Sequence, residues 1–303
     1  MTVDRACVFP AAIALCLISA LAIAVNCIFF KYPGNNYFPP GTPIIAFTLF
    51  LMYYGFSLQN GRTSKPALIL KEVMYFFTVT AVLVFATNAA QYTPFPTIDQ
   101  QIINLEAQWN INISEIIAWT HSHPLLQKVL ACTYDTLPLQ MCFLPLIVIA
   151  TMRFHLLSEY YFLLLVSCLL GFTFYYFFPT IAPASMIDSQ YFHAEQLATG
   201  LKFKQIHHYI QPATLEGGMI AMPSFHAIWA WFCLYLLREW RIAFAVLLPV
   251  NLLLVASCVL LGWHYPLDLA GSLIIILIAH SAFYVCRKGF VGIKRECFST
   301  ISL

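Results

Sequence analysis

Two short stretches near the C-terminal end carry residues that move protons and hold anions: Met222-Pro223-Ser224-Phe225-His226-Ala227 and Gly262-Trp263-His264-Tyr265-Pro266-Leu267-Asp268. Proline favours the first turn of a helix, and a serine beside it can accept a free backbone N–H. The start of a helix also presents unpaired N–H donors at a positive dipole end, a natural seat for phosphate. His226 then falls in the first turn, where an imidazole can protonate a leaving oxygen near neutral pH. In the second stretch Pro266 is placed to open a helix, which sets His264 just before it and Asp268 in its first turn. The i,i+4 spacing lets the carboxylate reach the ring. A carboxylate on one ring nitrogen fixes the tautomer and raises the basicity of the other nitrogen, so His264 becomes a nucleophile able to attack phosphorus. His226, His264 and Asp268 are the candidate catalytic residues, with Ser224 and Phe225 as phosphate or substrate contacts. Lys202, Lys204, His207 and His208 lie in the loop before the first stretch and are candidates for further phosphate contacts. The plainer reading of those four is a solvated patch facing lipid head groups.

These residues need elements to position them, and the composition says of what kind. Of 303 residues, 61% are hydrophobic and 9% are charged, against about 25% charged in a soluble domain. So apolar a chain cannot cover its folded surface in water; the solvent that suits it is a bilayer. Eight apolar segments can be drawn, about Val8–Phe30, Pro43–Leu58, Ala67–Thr87, Val129–Thr151, Tyr160–Phe178, Pro223–Leu237, Ala243–Leu261 and Leu267–Val285. Backbone groups in hydrocarbon must be satisfied internally, so each segment is predicted to be a helix. The first run is too long for the core of a cleavable signal peptide and reads as a retained span.

Connections then alternate between two sides. Of the fifteen Lys and Arg residues, eleven fall on the side of both termini, among them Arg5, Arg153, Arg238 and Lys294. Lys31, Lys128, Lys202 and Lys204 fall on the other. Positive charge stays in the cytoplasm, so both termini are expected there and both motifs on the extracytoplasmic face of a plasma or inner membrane. Residues 1–90 form N-terminal transmembrane helices in this reading, 91–290 the domain that carries the site, and 291–303 a cytoplasmic tail. Two long loops, 88–128 and 179–222, lie on the outer side. Ile102, Ile103, Leu105 and Trp109 recur at helical spacing, which suggests helices lying in the interface with the apolar face down.

A net charge of +2 gives no sign of a nucleic-acid partner. The ten cysteines sit mostly inside apolar runs without paired metal-site spacing, so they read as small hydrophobes, with no disulfide and no structural metal expected. Ionisable groups near membrane helices default to function; Lys71, Glu72 and Asp135 are therefore noted, as are His121 and His123 in the interfacial loop.

Pro-Ser-x-His at one helix start and His-x-x-x-Asp about forty residues later resemble the type-2 phosphatidic acid phosphatase superfamily. The resemblance covers roughly residues 95–285, takes in Tyr134 and the stretch from Phe178-Pro179 to Pro183, and is closest to the inositol phosphorylceramide synthase-like branch. It implies an all-α polytopic bundle of about eight spans, a covalent phosphohistidine formed on His264, leaving-group protonation by His226, assistance from Asp268, and no cofactor. The substrate it implies is a membrane lipid phosphate, with water or an alcohol as acceptor. The chain departs from the phosphatase pattern where that pattern has cations: Cys258 stands where an arginine is expected six residues before His264, and no lysine and arginine–proline pair follows the fifth segment. The head-group transferase branch also lacks parts of that set. The competing readings are a lipid transporter or flippase using the same pocket, and a family member that has lost catalysis.

Overall fold

Long apolar runs flanked by glycine, proline and polar residues become helices, and among the described residues there is no strand. The structure, a computed structural model, describes residues 3–215 and 217–301, with side chains for 5–215 and 217–289. The chain order is α1 (Val3–Val25), α2 (Thr42–Asn60), α3 (Lys65–Ala90), α4 (Asp99–Gln108), α5 (Ile113–His121), α6 (Pro124–Tyr134), α7 (Leu137–Ala150), α8 (Phe154–Phe177), α9 (Pro183–Met186), α10 (Ala194–His207), α11 (Phe225–Leu236), α12 (Arg241–Leu260) and α13 (Pro266–Ile301). The end of the expected tail, 302–303, and the side chains of 290–301 lie outside the described residues.

Among the described residues, six helices are long and apolar enough to cross a membrane: α1 with its π-helical extension to Phe30, α2, α3, α8, α12 and the part of α13 up to Gly289. The fourth expected segment is not one straight helix. It breaks at Asp135–Thr136 into α6 and α7, bent by 43°, where Pro138 opens the new helix. The pair makes a seventh span if counted as one. The sixth expected segment is the 12-residue α11, short of the roughly 20 residues that a full crossing needs.

The core is organised around α8. It is buried along most of its length and packs against α1, α3, α7, α11 and α13. Gly171 lets α8 close on the start of α11: a Cβ there would lie 2.6 Å from the Phe225 ring and 3.1 Å from Pro223. At the other edge α2 buries none of its side chains and packs on α3. An ion pair joins Arg5 of α1 to the buried Glu72 of α3. Cys7 is joined to Cys286 by a disulfide linking α1 to α13, which corrects the expectation of none. Sequence spacing carries no sign of this pair; it arises because α1 packs beside α13.

Candidate active site

The two motifs meet through backbone before any side chain is considered. Ser224 N donates to Asp268 O at 3.4 Å, and the Ser272 hydroxyl lies within bonding distance of both Ser224 O (3.0 Å) and Asp268 O (2.8 Å). The start of α11 is thereby stitched to the first turn of α13. The stretch after α8 joins them: Met222 N donates to the buried Thr180 hydroxyl at 2.7 Å. Ser224 caps α11 by accepting from Ala227 N at 3.4 Å, which leaves the earlier amides of the first turn facing outward from the helix end.

Gly262 sets up His264. It has φ +81°, a conformation that favours glycine, and a Cβ would lie 2.5 Å from Ile117 of α5. The turn it makes lets His264 N donate to Cys258 O at 2.8 Å, folding the histidine back over the end of α12.

The His264 ring is buried, with Nδ1 2.8 Å from Ala221 O and 3.3 Å from Asp268 Oδ2. A carbonyl oxygen only accepts, so Nδ1 must carry the proton and the Nε2 lone pair is left free. Asp268 is fully buried and its Oδ2 also accepts from Tyr265 N at 2.9 Å, which fixes its orientation. The His226 ring lies 6.0 Å from that of His264, centre to centre, at 59°. Tyr134 stacks on His226 at 4.2 Å with its hydroxyl 3.3 Å from Nδ1, and Trp263 stacks on the far face of Tyr134 at 5.3 Å. A hydroxyl can accept from a charged imidazole or donate to a neutral one, so Tyr134 suits a ring that changes protonation state. The break between α6 and α7 places Tyr134 here, at the last residue of α6; Asp135, the next residue, is exposed.

The remaining predicted contacts scatter. Phe225 packs inward on Phe172 and Trp229. Cys258, in the place of the expected arginine, is fully buried, with its sulfur 3.8 Å from the Ser224 hydroxyl. Lys202 is fully buried and donates to Gly217 O at 3.1 Å; burial holds its ammonium down at a pKa of about 8. Lys204 and His208 are exposed, and His208 Nδ1 lies 2.7 Å from Lys204 O. His207 is half-buried, and burial together with the neighbouring His208 depresses its basicity.

Two acids that motif reasoning passes over support the site from α4. Glu106 Oε1 accepts from Leu267 N at 2.8 Å, capping α13, and Asp99 accepts from Ile181 N at 3.1 and 3.0 Å. Both are buried. Burial raises the Asp99 pKa to about 7, and the charge of Asp268 adds to that; burial raises Glu106 as well. Their i,i+7 spacing, two turns apart on one face with Ile102 between them, is the signal a sequence reader could have used.

Beside His226 opens a cavity of about 380 Å³, lined mainly by apolar residues of α7, α8 and α11, by Thr87 of α3 and by the loop around Gly217–Ile220.

This is a multi-pass helical membrane protein with a paired-histidine site at the ends of two helices. A sequence model of the PAP2 superfamily matches residues 100–282, more than half of the chain, and the chain belongs to that superfamily. No curated protein and no solved structure matches it.

Proposed function

We propose that the protein cleaves a phosphoester or pyrophosphate bond of a membrane lipid through a phosphohistidine. The observation that carries this reading is the pair of imidazoles 6.0 Å apart at the start of α11, one of them with its tautomer fixed by Ala221 O and Asp268. The phosphoryl oxygens sit on the first-turn amides of α11. Nε2 of His264 attacks phosphorus, the bond from phosphorus to the leaving oxygen breaks, and His226 gives that oxygen its proton. His226 then removes a proton from the acceptor oxygen, which attacks phosphorus and frees His264. With water as acceptor the enzyme is a phosphatase. With an alcohol it is a head-group transferase, the alternative favoured by a neutral Cys258 in place of an arginine. The site faces the extracytoplasmic side in this reading, with both termini in the cytoplasm.

The test compares purified wild type with His264→Ala on a panel of lipid phosphates, with and without added alcohols, reading phosphate or head-group release. Release by the wild type alone is expected. Equal release by both proteins sinks the mechanism; release by neither favours a transporter or a member without catalysis.

A further inference from the structure

The cavity beside His226 is completed by a part of the chain outside the superfamily match. Leu215 and Gly217–Ile220 roof it, and Tyr37, from the connection between α1 and α2, lines it. That connection is itself anchored to the end of α3. Asn35 N donates to Gln91 Oε1 and Gln91 Nε2 to Asn35 O, both at 2.7 Å, and Tyr37 N donates to Asn88 Oδ1 at 2.9 Å. From this base it grips the roofing loop at three points. Asn35 Nδ2 donates to Pro212 O at 3.1 Å, Gln211 Nε2 donates to Asn35 Oδ1 at 3.0 Å, and the Tyr37 hydroxyl donates to Met219 Sδ at 2.9 Å. On the far wall stand Leu137 and Met141 of α7, with Phe172 of α8.

We propose that segment 31–38 is the substrate-selectivity element: it holds Gln211, Pro212 and Met219 against an apolar chamber that opens at His226 and takes the hydrocarbon part of the molecule whose phosphate lies between the two histidines. This rests on the proposed function, since it takes the phosphate site as the chamber's other end. The occupant follows from continuity. His226 lines the chamber, so a molecule reacting there has its leaving group at the chamber mouth, and the walls offer mainly apolar side chains. A chamber of this size falls within the range of small-molecule sites. For an alkyl chain taken up from water, each methylene it accepts adds about fourfold in affinity.

The experiment uses the full chain in detergent and a series of straight-chain alkyl phosphates of increasing length. Phosphate release is read as kcat/KM. Thermal stabilisation by the matching non-hydrolysable alkyl phosphonates, and by alkyl alcohols of equal length, gives a readout that needs no turnover. Met141→Trp and Leu137→Trp fill the chamber from α7, and Asn35→Ala cuts the latch; melting without ligand confirms that each folds. In the wild type, kcat/KM and phosphonate stabilisation are expected to climb with chain length and then level off. Either tryptophan should move the plateau to shorter chains with a loss of tenfold or more at the long end, and Asn35→Ala should flatten the climb. Chain-length profiles identical in wild type and all three variants overturn the proposal. So does equal stabilisation by the alcohols, which would mark the chamber as the seat of a structural lipid. A length-dependent phosphonate effect without any phosphate release would leave the chamber standing and remove the catalytic reading instead.

Discussion

At the scale of single residues, the site is a problem in keeping two imidazoles in different states. His264 is locked by two oxygens on Nδ1 and cannot present that nitrogen to substrate. His226 has one partner at Nδ1, the Tyr134 hydroxyl, and that partner tolerates either state of the ring. Tyr134→Phe keeps the stack between His226 and Trp263 and removes only the hydroxyl. A single hydrogen bond contributes about 0.5–1.5 kcal/mol, so turnover should fall by up to roughly tenfold, with KM little changed. Tyr134→Ala removes the stack too and should cost more. If Tyr134→Phe matches wild type at every pH while Tyr134→Ala does not, the ring matters and the hydroxyl does not. That Ser224, His226 and Asp268 sit at helix starts, with His264 beside Asp268, could be read before any coordinates because it follows from short-range spacing. Ala221 O could not, because which carbonyl meets a ring depends on a loop 43 residues earlier in the chain.

At the scale of elements, the spans are legible from length and hydropathy, while the exceptions are set by packing. Val129–Thr151 is apolar throughout, yet the chain turns at Asp135–Thr136, and that bend is what delivers Tyr134. Pro223–Leu237 is apolar, and α11 fills it from Phe225 to Leu236, packed among α7, α8, α12 and α13. For α4 the apolar spacing suggests a helix lying on lipid; the structure leaves Leu105 and Trp109 exposed and buries Asp99 and Glu106 with Ile102. Asp99 and Glu106 hold the backbone on which Ile181 and Leu267 sit, so α4 ties the stretch after α8 to the start of α13. The Asp99 carboxyl titrates near 7 in the fold against 3.8 ordinarily. A group raised in this way favours the folded state in its protonated form. Its contribution is full below about pH 4 and disappears as pH rises through 7. Asp99→Asn keeps an acceptor for Ile181 N and never ionises. Its melting temperature relative to wild type should therefore be higher at pH 8 than at pH 5, read by thermal unfolding in one detergent at both values. A difference that stays constant between the two would mean that Asp99 does not ionise in this range.

At the scale of the whole molecule, the superfamily match begins at residue 100, and α1 to α3 lie outside it. α1 and α3 pack on α8, and α1 also packs on α13. The Cys7–Cys286 disulfide closes that packing covalently across 279 residues of sequence. It lies beside Arg5, Arg287 and Lys288 in the sequence, on the side expected to be cytoplasmic in the proposed orientation, a compartment where disulfides are rare. Cys7 is buried and Cys286 half-buried, so the fold shields the bond from reductant more than the unfolded chain does. A crosslink acts largely by restricting the unfolded chain, typically by about 2–4 kcal/mol. Reductant should thus lower the melting temperature by several degrees, slowly for folded protein and at once after denaturation. The double variant Cys7→Ser with Cys286→Ser should melt where the reduced wild type does and ignore reductant. Reduction of the folded protein as fast as of the unfolded chain would show that the fold does not shield the bond. A double variant that melts with the oxidised wild type would show that packing of α1 on α8, and not the bond, holds the N-terminal helices to the core that carries the two histidines.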